Sequence, residues 1–437
     1  MTIRTIKTKL KYFVKKINLK VVIEYLFYFF VFIFLWQTKL IIYPGDSNYS
    51  EIALFANYIL LSIILILFFI YKIKNKEKDS DIDKYWVILA GLDFFIFLSI
   101  LISSNLTLSV FRYILLLLSI GLMYVMINFK FKFKKIILVF LLALLLQAGL
   151  GIGQFFTQKT FACKYLGIAL HEASDLGTAV IETNNERFLR AYGATDHPNI
   201  FGALMFFAIF FVILLMIKNN YKGTKATISY LALFFYSIAL CVSFSRSAIL
   251  ALVISLIFLF IVFFFTDKKL FRKFLPIILS LIFLGGALFL LFKPLILTRI
   301  EASSRLEKIS INERQEQNNT ALEIISDNVW LGVGLGNYHN ELLNREVDLK
   351  PYEAQPVHNV FLLIWSEIGL WGLLLFLYFI IYLFKINIEK LYYIPIFIAL
   401  FVFMLFDHWL WSLPGSYLFL FFILSLTFYF KDDNLSS

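Results

Sequence analysis

The sequence is poor in charged residues and in cysteine. Only 16% of its 437 residues are charged, whereas 61% are hydrophobic and 19% are aromatic. The two cysteines, Cys163 and Cys241, provide no disulfide framework and do not have the spacing of a metal motif. No tract rich in proline, serine or glycine divides the chain. These absences exclude a disulfide-rich domain and a string of soluble domains joined by linkers.

Apolar runs dominate the chain, and its mean hydropathy is +0.83. Many runs reach about 20 residues, enough to cross a hydrocarbon core about 30 Å thick. We therefore predict an all-α fold, a polytopic membrane helical bundle with about 12 transmembrane helices, forming a single integral membrane domain over residues 1–437. The predicted spans are 21–43, 52–73, 86–103, 106–128, 136–156, 199–217, 226–244, 248–266, 275–292, 358–384, 391–411 and 415–430.

The connections between spans differ in charge. If the amino terminus is cytoplasmic, basic segments such as FKFKFKK and DKKLFRK lie inside, whereas PGDSNYS, SN and WSLPG lie outside and carry no lysine or arginine. This distribution predicts that both termini are cytoplasmic. The basic start, MTIRTIKTKLKYFVKK, lacks a following cleavage site, so its apolar run should remain as the first span. The net charge of +11 is explained by topology and anionic headgroups, so we expect membrane lipids and no nucleic acid as partners.

Two connections on the predicted outer side are long, at residues 157–198 and 293–357. The second contains SRLEKISINERQEQNNTALEIIS, whose apolar residues recur at helical spacing. We expect amphipathic helices there, lying on the outer face of the membrane. Four side chains with functional chemistry belong to the same face, namely Arg187, Arg190, Arg246 and His358.

Arg246 is the most informative of the four. A short turn between two apolar helices, SFSRS, needs no cation, and a positive charge on the outer side opposes the topology bias. Arg246 either reaches lipid headgroup phosphates or offers a forked donor to the phosphates of a lipid-diphosphate substrate.

The segment RFLRAYGATDHPNIFGAL contains a predicted helix start. Pro198 suits the first turn, with Asp196 or Thr195 as the cap. The amino-terminal N–H groups of this helix would then lie near Arg190, which favours an anion, although DHPN is also explained as a plain helix start. His197 taken alone is either a capping or surface histidine or a catalyst.

His358 follows a long polar loop and precedes an apolar helix. Its usual pKa suits removal of a proton from a hydroxyl near neutral pH, but a structural histidine would also suit this boundary. Asn359 either orients an acceptor or satisfies loop carbonyls. Glu367 lies about half a helical circumference away, so we expect a buried or pore-side carboxylate. Acceptor binding and structural pairing remain open for Asp93, Asp407 and His408.

The glycines of WLGVGLGNYHN have no βαβ context, so a tight turn over the bundle is favoured over a nucleotide loop. No group of histidines and carboxylates has metal-ligand spacing along the chain. We therefore predict a metal-independent site without a cofactor.

Four segments carry a resemblance: RAYGATDHPN from Arg190, SFSRSA around Arg246, the stretch from Arg314 through ALEIISDNVWLGVGLGNY, and HNVFLLIWSEIGLWG from His358. With these motifs the chain resembles the O-antigen ligase and O-antigen polymerase family of bacterial membrane glycosyltransferases. The last motif is the most specific, because a His-Asn pair followed by nine residues and Gly369 is associated with the ligases.

The resemblance implies a C-type glycosyltransferase architecture in the inner (cytoplasmic) membrane, with the active site on the periplasmic face. It implies an undecaprenyl-diphosphate-linked glycan as the donor. The implied acceptor is a lipid A core or another surface glycan for a ligase, and a second lipid-linked repeat for a polymerase. Arg190 and Arg246 would hold the diphosphate, and His358 would orient or deprotonate the acceptor hydroxyl, with inversion. Further candidates for substrate binding are Arg187, Arg314, Asn199 and Asn359.

A lipid-linked glycan transporter is the rival from another class. It would need polar residues near the bilayer midplane and helices broken by glycine or proline. Asp93, Gln147 and several glycines offer some of this, but no strong internal repeat is present and the cations gather at one face. The sequence therefore favours a transferase.

Overall fold

The computed structural model describes residues 18–76, 83–129, 131–183, 186–301, 304–345, 349 and 354–431. The basic segment 1–17 lies outside these residues. The described chain is mainly helical, with two short hairpins. Its α-helices, α1 to α16 in chain order, are Leu19–Ile33, Ala56–Asn75, Lys84–Leu101, Leu106–Phe129, Phe133–Thr157, Pro198–Asn219, Thr224–Ser243, Arg246–Thr266, Lys268–Leu291, Lys293–Glu301, Arg305–Asp327, Tyr338–Arg345, Val360–Asn387, Ile394–Phe406, Trp409–Ser412 and Pro414–Leu426. Short 3-10 helices cover Leu391–Tyr393 and Thr427–Lys431.

The predicted polytopic membrane helical fold is confirmed. Within the described residues, nine helices are long and apolar enough to cross a membrane. Helices α14 and α16 are apolar but shorter, with 13 residues each, and α1 has 15. The amphipathic stretch of the second long connection forms α11, as its helical spacing predicts.

The first predicted span, 21–43, ends too late. Helix α1 stops at Ile33, and β1 (Lys39–Tyr43) pairs antiparallel with β2 (Ile52–Phe55). The apolar run KLIIY is therefore a strand, because β-branched residues next to a Pro-Gly turn favour a hairpin. A second hairpin joins β3 (Val180–Glu182) to β4 (Arg187–Leu189).

Helix α6 is the centre of the bundle. Its residues from Pro198 to Ile217 are all buried, and it packs against α5, α7, α8, α9 and α14. In contrast, α9 exposes large apolar side chains such as Ile282 and Phe283, the pattern of a lipid-facing helix. Because α6 begins with Pro198 and Asn199, it carries polar groups into the interior at one end of the bundle.

Helix α13 is broken at Gly369, which has φ 72° and ψ −179°. A Cβ at this position would lie 2.1 Å from the carbonyl oxygen of Trp330. The break lets Leu370 N donate to Val329 O at 2.8 Å, and Val333 N donates to Ser366 O at 2.8 Å. The glycine-containing segment before α12 is thereby joined to the transmembrane helix that follows His358.

The predicted span 391–411 is also interrupted. Helix α14 ends at Phe406, Asp407 is extended, and a four-residue helix, α15, follows. The Asp407 carboxylate explains the break, since it accepts hydrogen bonds from the Asn199 side chain and from the His408 amide. A polar pair is thus placed beside the start of α6.

Candidate active site

Two cavities adjoin each other at the amino-terminal ends of α6 and α8. The arginine cavity has a volume of about 300 Å³ and is lined by Asn199, Arg246, Ser247, Leu250, Arg299, Ile311, Arg314 and Phe406. The histidine cavity has a volume of about 360 Å³, and its lining includes Tyr49, His171, Tyr192, Asp196, His197, Gln355, His358, Asp407 and His408. They share a wall, because Asn199 Nδ2, on the arginine side, donates to Asp407 Oδ2, on the histidine side, at 2.7 Å.

Arg246 is positioned by the tight turn between α7 and α8. Phe244 adopts a left-handed conformation, and the Ser245 hydroxyl caps the new helix at Ala248 N, so Arg246 is the first residue of α8. Its NH1 atom lies 3.3 Å from Glu307 Oε2, and its side chain remains 39% exposed. Arg246 can therefore meet an anion at a helix amino terminus, where the N–H groups and the helix dipole also favour negative charge.

Arg299 lines this cavity and pairs with the buried Glu307. Their side chains make an ion pair and are only 13% and 4% exposed. Burial lowers the pKa of Arg299, and Glu307 opposes that shift. Neither residue stands out in the sequence, because charge alone does not distinguish Arg299 and Glu307 from neighbours such as Glu301 and Arg305.

Arg190 lies behind the cavity wall. It is 5% exposed, its Nε donates to Ser243 O at 2.9 Å, and its NH2 donates to Asn199 Oδ1 at 2.7 Å. Asn199 therefore links Arg190 to Asp407. Burial, followed by repulsion from Arg299, lowers the pKa of Arg190.

The other two arginines predicted from the sequence occupy different places. Arg314, on α11, lines the arginine cavity, and its buried Nε has no hydrogen-bond partner among the described residues. Arg187 lies on β4, and the described residues that line the two cavities do not include it.

The charge balance around the arginine cavity is positive. Four guanidinium groups, those of Arg190, Arg246, Arg299 and Arg314, interact electrostatically with one another and with the carboxyl groups of Glu307 and Asp407. Four positive and two negative charges leave an excess of two positive charges. A group with about two negative charges, such as a diphosphate diester, would balance this excess.

His358 stands immediately before α13. Asn359 caps that helix, its Oδ1 accepting from Phe361 N at 2.9 Å and Leu362 N at 3.2 Å, so its side chain serves the helix start. His358 Nδ1 lies 2.8 Å from Gln317 Oε1. Because an amide oxygen only accepts, Nδ1 carries the proton and Nε2 keeps its lone pair. Burial and the neighbouring His408 lower the pKa of His358, which keeps the ring neutral.

Asp407 and His408 stand next to His358. The His408 and His358 rings are 4.9 Å apart at 76°, and His408 Nδ1 is 2.7 Å from Ser412 Oγ. Burial raises the pKa of Asp407, but the nearby histidines and the Asn199 hydrogen bond outweigh it and lower the pKa overall. The carboxylate is thus ionised, and it stabilises a neighbouring imidazole in its protonated form.

These three residues also form a group with metal-ligand chemistry. One ligand atom from each of His358, Asp407 and His408 lies within 4.8 Å of the others. This group does not show in the spacing of residues along the chain, because His358 and Asp407 are 49 positions apart. Metal independence therefore stays a prediction.

The start of α6 differs from its prediction in one detail. Pro198 is in the first turn, but the cap is His197, whose Nδ1 accepts from Asn199 N at 3.1 Å, and not Asp196 or Thr195. Asp196 instead accepts from Gln37 Nε2 at 2.6 Å. Burial and then the nearby Arg190 lower the pKa of His197 to about 3, so it is a neutral capping group.

Comparison with known proteins agrees with the resemblance found in the sequence. Residues 231–377 match the family described as O-Antigen ligase. This region contains Arg246, Arg299, Arg314 and His358. No curated protein matches the chain. The match covers 147 of the 437 residues, and together with the apolar helices it identifies a multi-pass membrane protein that contains a region similar to the O-antigen ligase family.

Proposed function

We propose that this protein transfers a glycan from undecaprenyl diphosphate to a hydroxyl of an acceptor, which is a lipid A core or another cell-surface glycan. The observation that supports this most strongly is the adjoining pair of cavities. One has an excess of guanidinium groups, and the other holds His358 with a free Nε2 lone pair. The donor diphosphate occupies the arginine cavity, and the acceptor hydroxyl approaches from the histidine cavity.

The proposed reaction is a direct displacement. His358 Nε2 takes the proton of the acceptor hydroxyl as the acceptor oxygen forms a bond to the anomeric carbon. The bond from that carbon to the phosphate oxygen breaks, and the prenyl diphosphate leaves with the electron pair. Attack opposite the leaving group inverts the anomeric configuration. Arg246 and Arg314 stabilise the charge that develops on the leaving oxygen, which supports metal-independent catalysis.

Asp407 assists in two ways. Its carboxylate favours the positive imidazolium that His358 becomes during proton transfer. Its hydrogen bond to Asn199 also fixes the wall between the two cavities, and Asn199 in turn holds Arg190. Arg190 therefore supports the donor site through Asn199 and through its charge.

The candidate site lies where the long connections meet the bundle. On the charge distribution between spans, we place it on the periplasmic face of the inner membrane, with both termini cytoplasmic. A polymerase that joins lipid-linked repeat units is the second candidate. The His-Asn pair followed by Gly369 favours the ligase, and the positive φ at this position, which glycine adopts without strain, gives that glycine a structural reason.

A transfer assay with purified protein tests this function. Undecaprenyl-diphosphate glycan is supplied as donor with or without a lipid A core acceptor, in the presence of EDTA, and products are resolved by mass. Glycan joined to the non-prenyl acceptor supports a ligase, whereas lengthening of the prenyl-linked glycan supports a polymerase. Loss of transfer in EDTA, restored by a divalent metal, would contradict metal independence. Lipid movement without any transfer would favour a transporter.

A further inference from the structure

A third cavity, the lysine cavity, lies at the other end of the bundle from the candidate active site. It has a volume of about 320 Å³ and is formed by α6, α8, α9 and the 3-10 helix Leu391–Tyr393. Helix α6 has 22 residues, so Lys218 near its end is about 30 Å from Asn199 near its start. The proposed transfer reaction makes no use of this cavity.

Three lysines, Lys218, Lys269 and Lys273, line the cavity. The Lys218 ammonium lies 4.5 Å from the centre of the Tyr392 ring and 4.7 Å from that of Tyr393. Lys273 Nζ donates to Ile217 O at 3.2 Å. These contacts hold the ammonium groups of Lys218 and Lys273 beside the ends of helices. The ammonium group of an unconstrained surface lysine would instead extend into solvent.

Asp267 is the one acid among the described lining residues, and its carboxylate has another role. Its Oδ1 accepts from Lys269 N at 2.8 Å and from Leu270 N at 2.9 Å, which caps the start of α9. The balance of lining charges is therefore three positive against one negative, with the negative group directed to the backbone. An anion entering the cavity would meet an excess of positive charge.

The rest of the lining is apolar, including Phe210, Leu214, Leu259 and Phe263. A free phosphate would gain nothing from this surface, whereas a lipid chain would cover it. Basic pockets between transmembrane helices are a known form of anionic-lipid site. We propose that the lysine cavity binds the phosphate headgroup of an anionic phospholipid from the leaflet at that end, with an acyl chain against the phenylalanines and leucines.

The test is lipid titration of the purified full chain by native mass spectrometry. Phosphatidylglycerol is compared with the zwitterionic phosphatidylcholine and with inorganic phosphate, using the parent and Lys269→Gln/Lys273→Gln. The matched control is Lys222→Gln/Lys225→Gln, which removes two exposed lysines at the same end that are not among the lining residues. All proteins are first checked for folding by thermal unfolding without added lipid.

We expect the parent to retain one phosphatidylglycerol in preference to phosphatidylcholine. The cavity double variant should bind it about 25-fold more weakly, from about fivefold per lysine, while the control should change by less than about twofold. Equal losses in the two double variants, equal binding of the zwitterionic lipid, or phosphate binding as tightly as the lipid would each overturn the proposal. If the cavity double variant does not fold, Lys269→Gln alone, at an exposed position, carries the same comparison against Lys225→Gln.

Discussion

The two arginines paired with Glu307 should respond very differently to substitution by alanine. Arg299 is 13% exposed and its ion pair with Glu307 is buried, whereas Arg246 is 39% exposed and lies 3.3 Å from the same carboxylate. Removing Arg299 leaves a buried carboxylate without its main partner, and breaking a buried pair in this way costs about 3–5 kcal/mol of folding free energy. Removing Arg246 loses only a partly exposed pair, worth up to about 1 kcal/mol.

The effect of Arg246→Ala on transfer should be large although its effect on stability is small. In the proposed mechanism Arg246→Ala removes one of the donors to the leaving diphosphate, so turnover should fall about 10²–10³-fold while the protein remains folded. The matched control is Arg305→Ala, because Arg305 is 66% exposed and pairs with Glu182 at 3.3 Å outside the cavity lining. Thermal unfolding in detergent and transfer kinetics are measured on the same preparations. Parent-like turnover of folded Arg246→Ala, or an equal loss in Arg305→Ala, would refute the reasoning.

Three further predictions concern Gly369, Asn199 and His358. Gly369→Ala should destabilise the protein by about 3 kcal/mol or more, because φ is positive at this position and a Cβ would clash with the Trp330 carbonyl. The control is Gly285→Ala, because an added Cβ there meets open space, and its stability in thermal unfolding should remain within about 1 kcal/mol of the parent. Asn199→Ala should remove one hydrogen bond from Arg190 and one from Asp407, and so lower turnover about 10–100-fold. An unchanged rate in kinetic assays would contradict the proposal that Asn199 links these two residues. Transfer should be constant at neutral pH and begin to fall only at a pH well below the usual imidazole pKa, because burial lowers the pKa of His358 and its neutral form persists on acidification. A pH profile that rises towards acid would contradict a base role.

Much of the fold was predictable because membrane helices can be recognised in a sequence by their length and hydropathy. The prediction of helix boundaries failed where an apolar run forms a strand or is ended by a polar contact. The segment KLIIY continues the hydropathy of α1 but forms β1, and one aspartate at 407 ends α14 because its carboxylate meets Asn199 across the bundle. Hydropathy carries no information on such contacts.

The candidate site was predictable in its motifs and not in its contacts. Arg246 stood out because a cation in a short outer turn opposes the topology bias, and His358 stood out because it opens the most specific motif at the start of an apolar helix. Glu307 and Gln317 did not stand out, because α11 is rich in polar residues and only its docking selects which of them contact Arg246 and His358. The tertiary fold alone unites residues that lie more than 200 positions apart, such as Asn199 and Asp407.

The most direct test of the central claim separates donor binding from transfer in His358→Gln. Glutamine keeps a polar side chain but cannot take the hydroxyl proton. With purified protein, undecaprenyl-diphosphate glycan binding should remain within about twofold of the parent, while single-turnover transfer should fall about 10²–10⁴-fold. Transfer at the parent rate, or a loss of donor binding as large as the loss of transfer, would contradict the assignment of His358 to the acceptor hydroxyl.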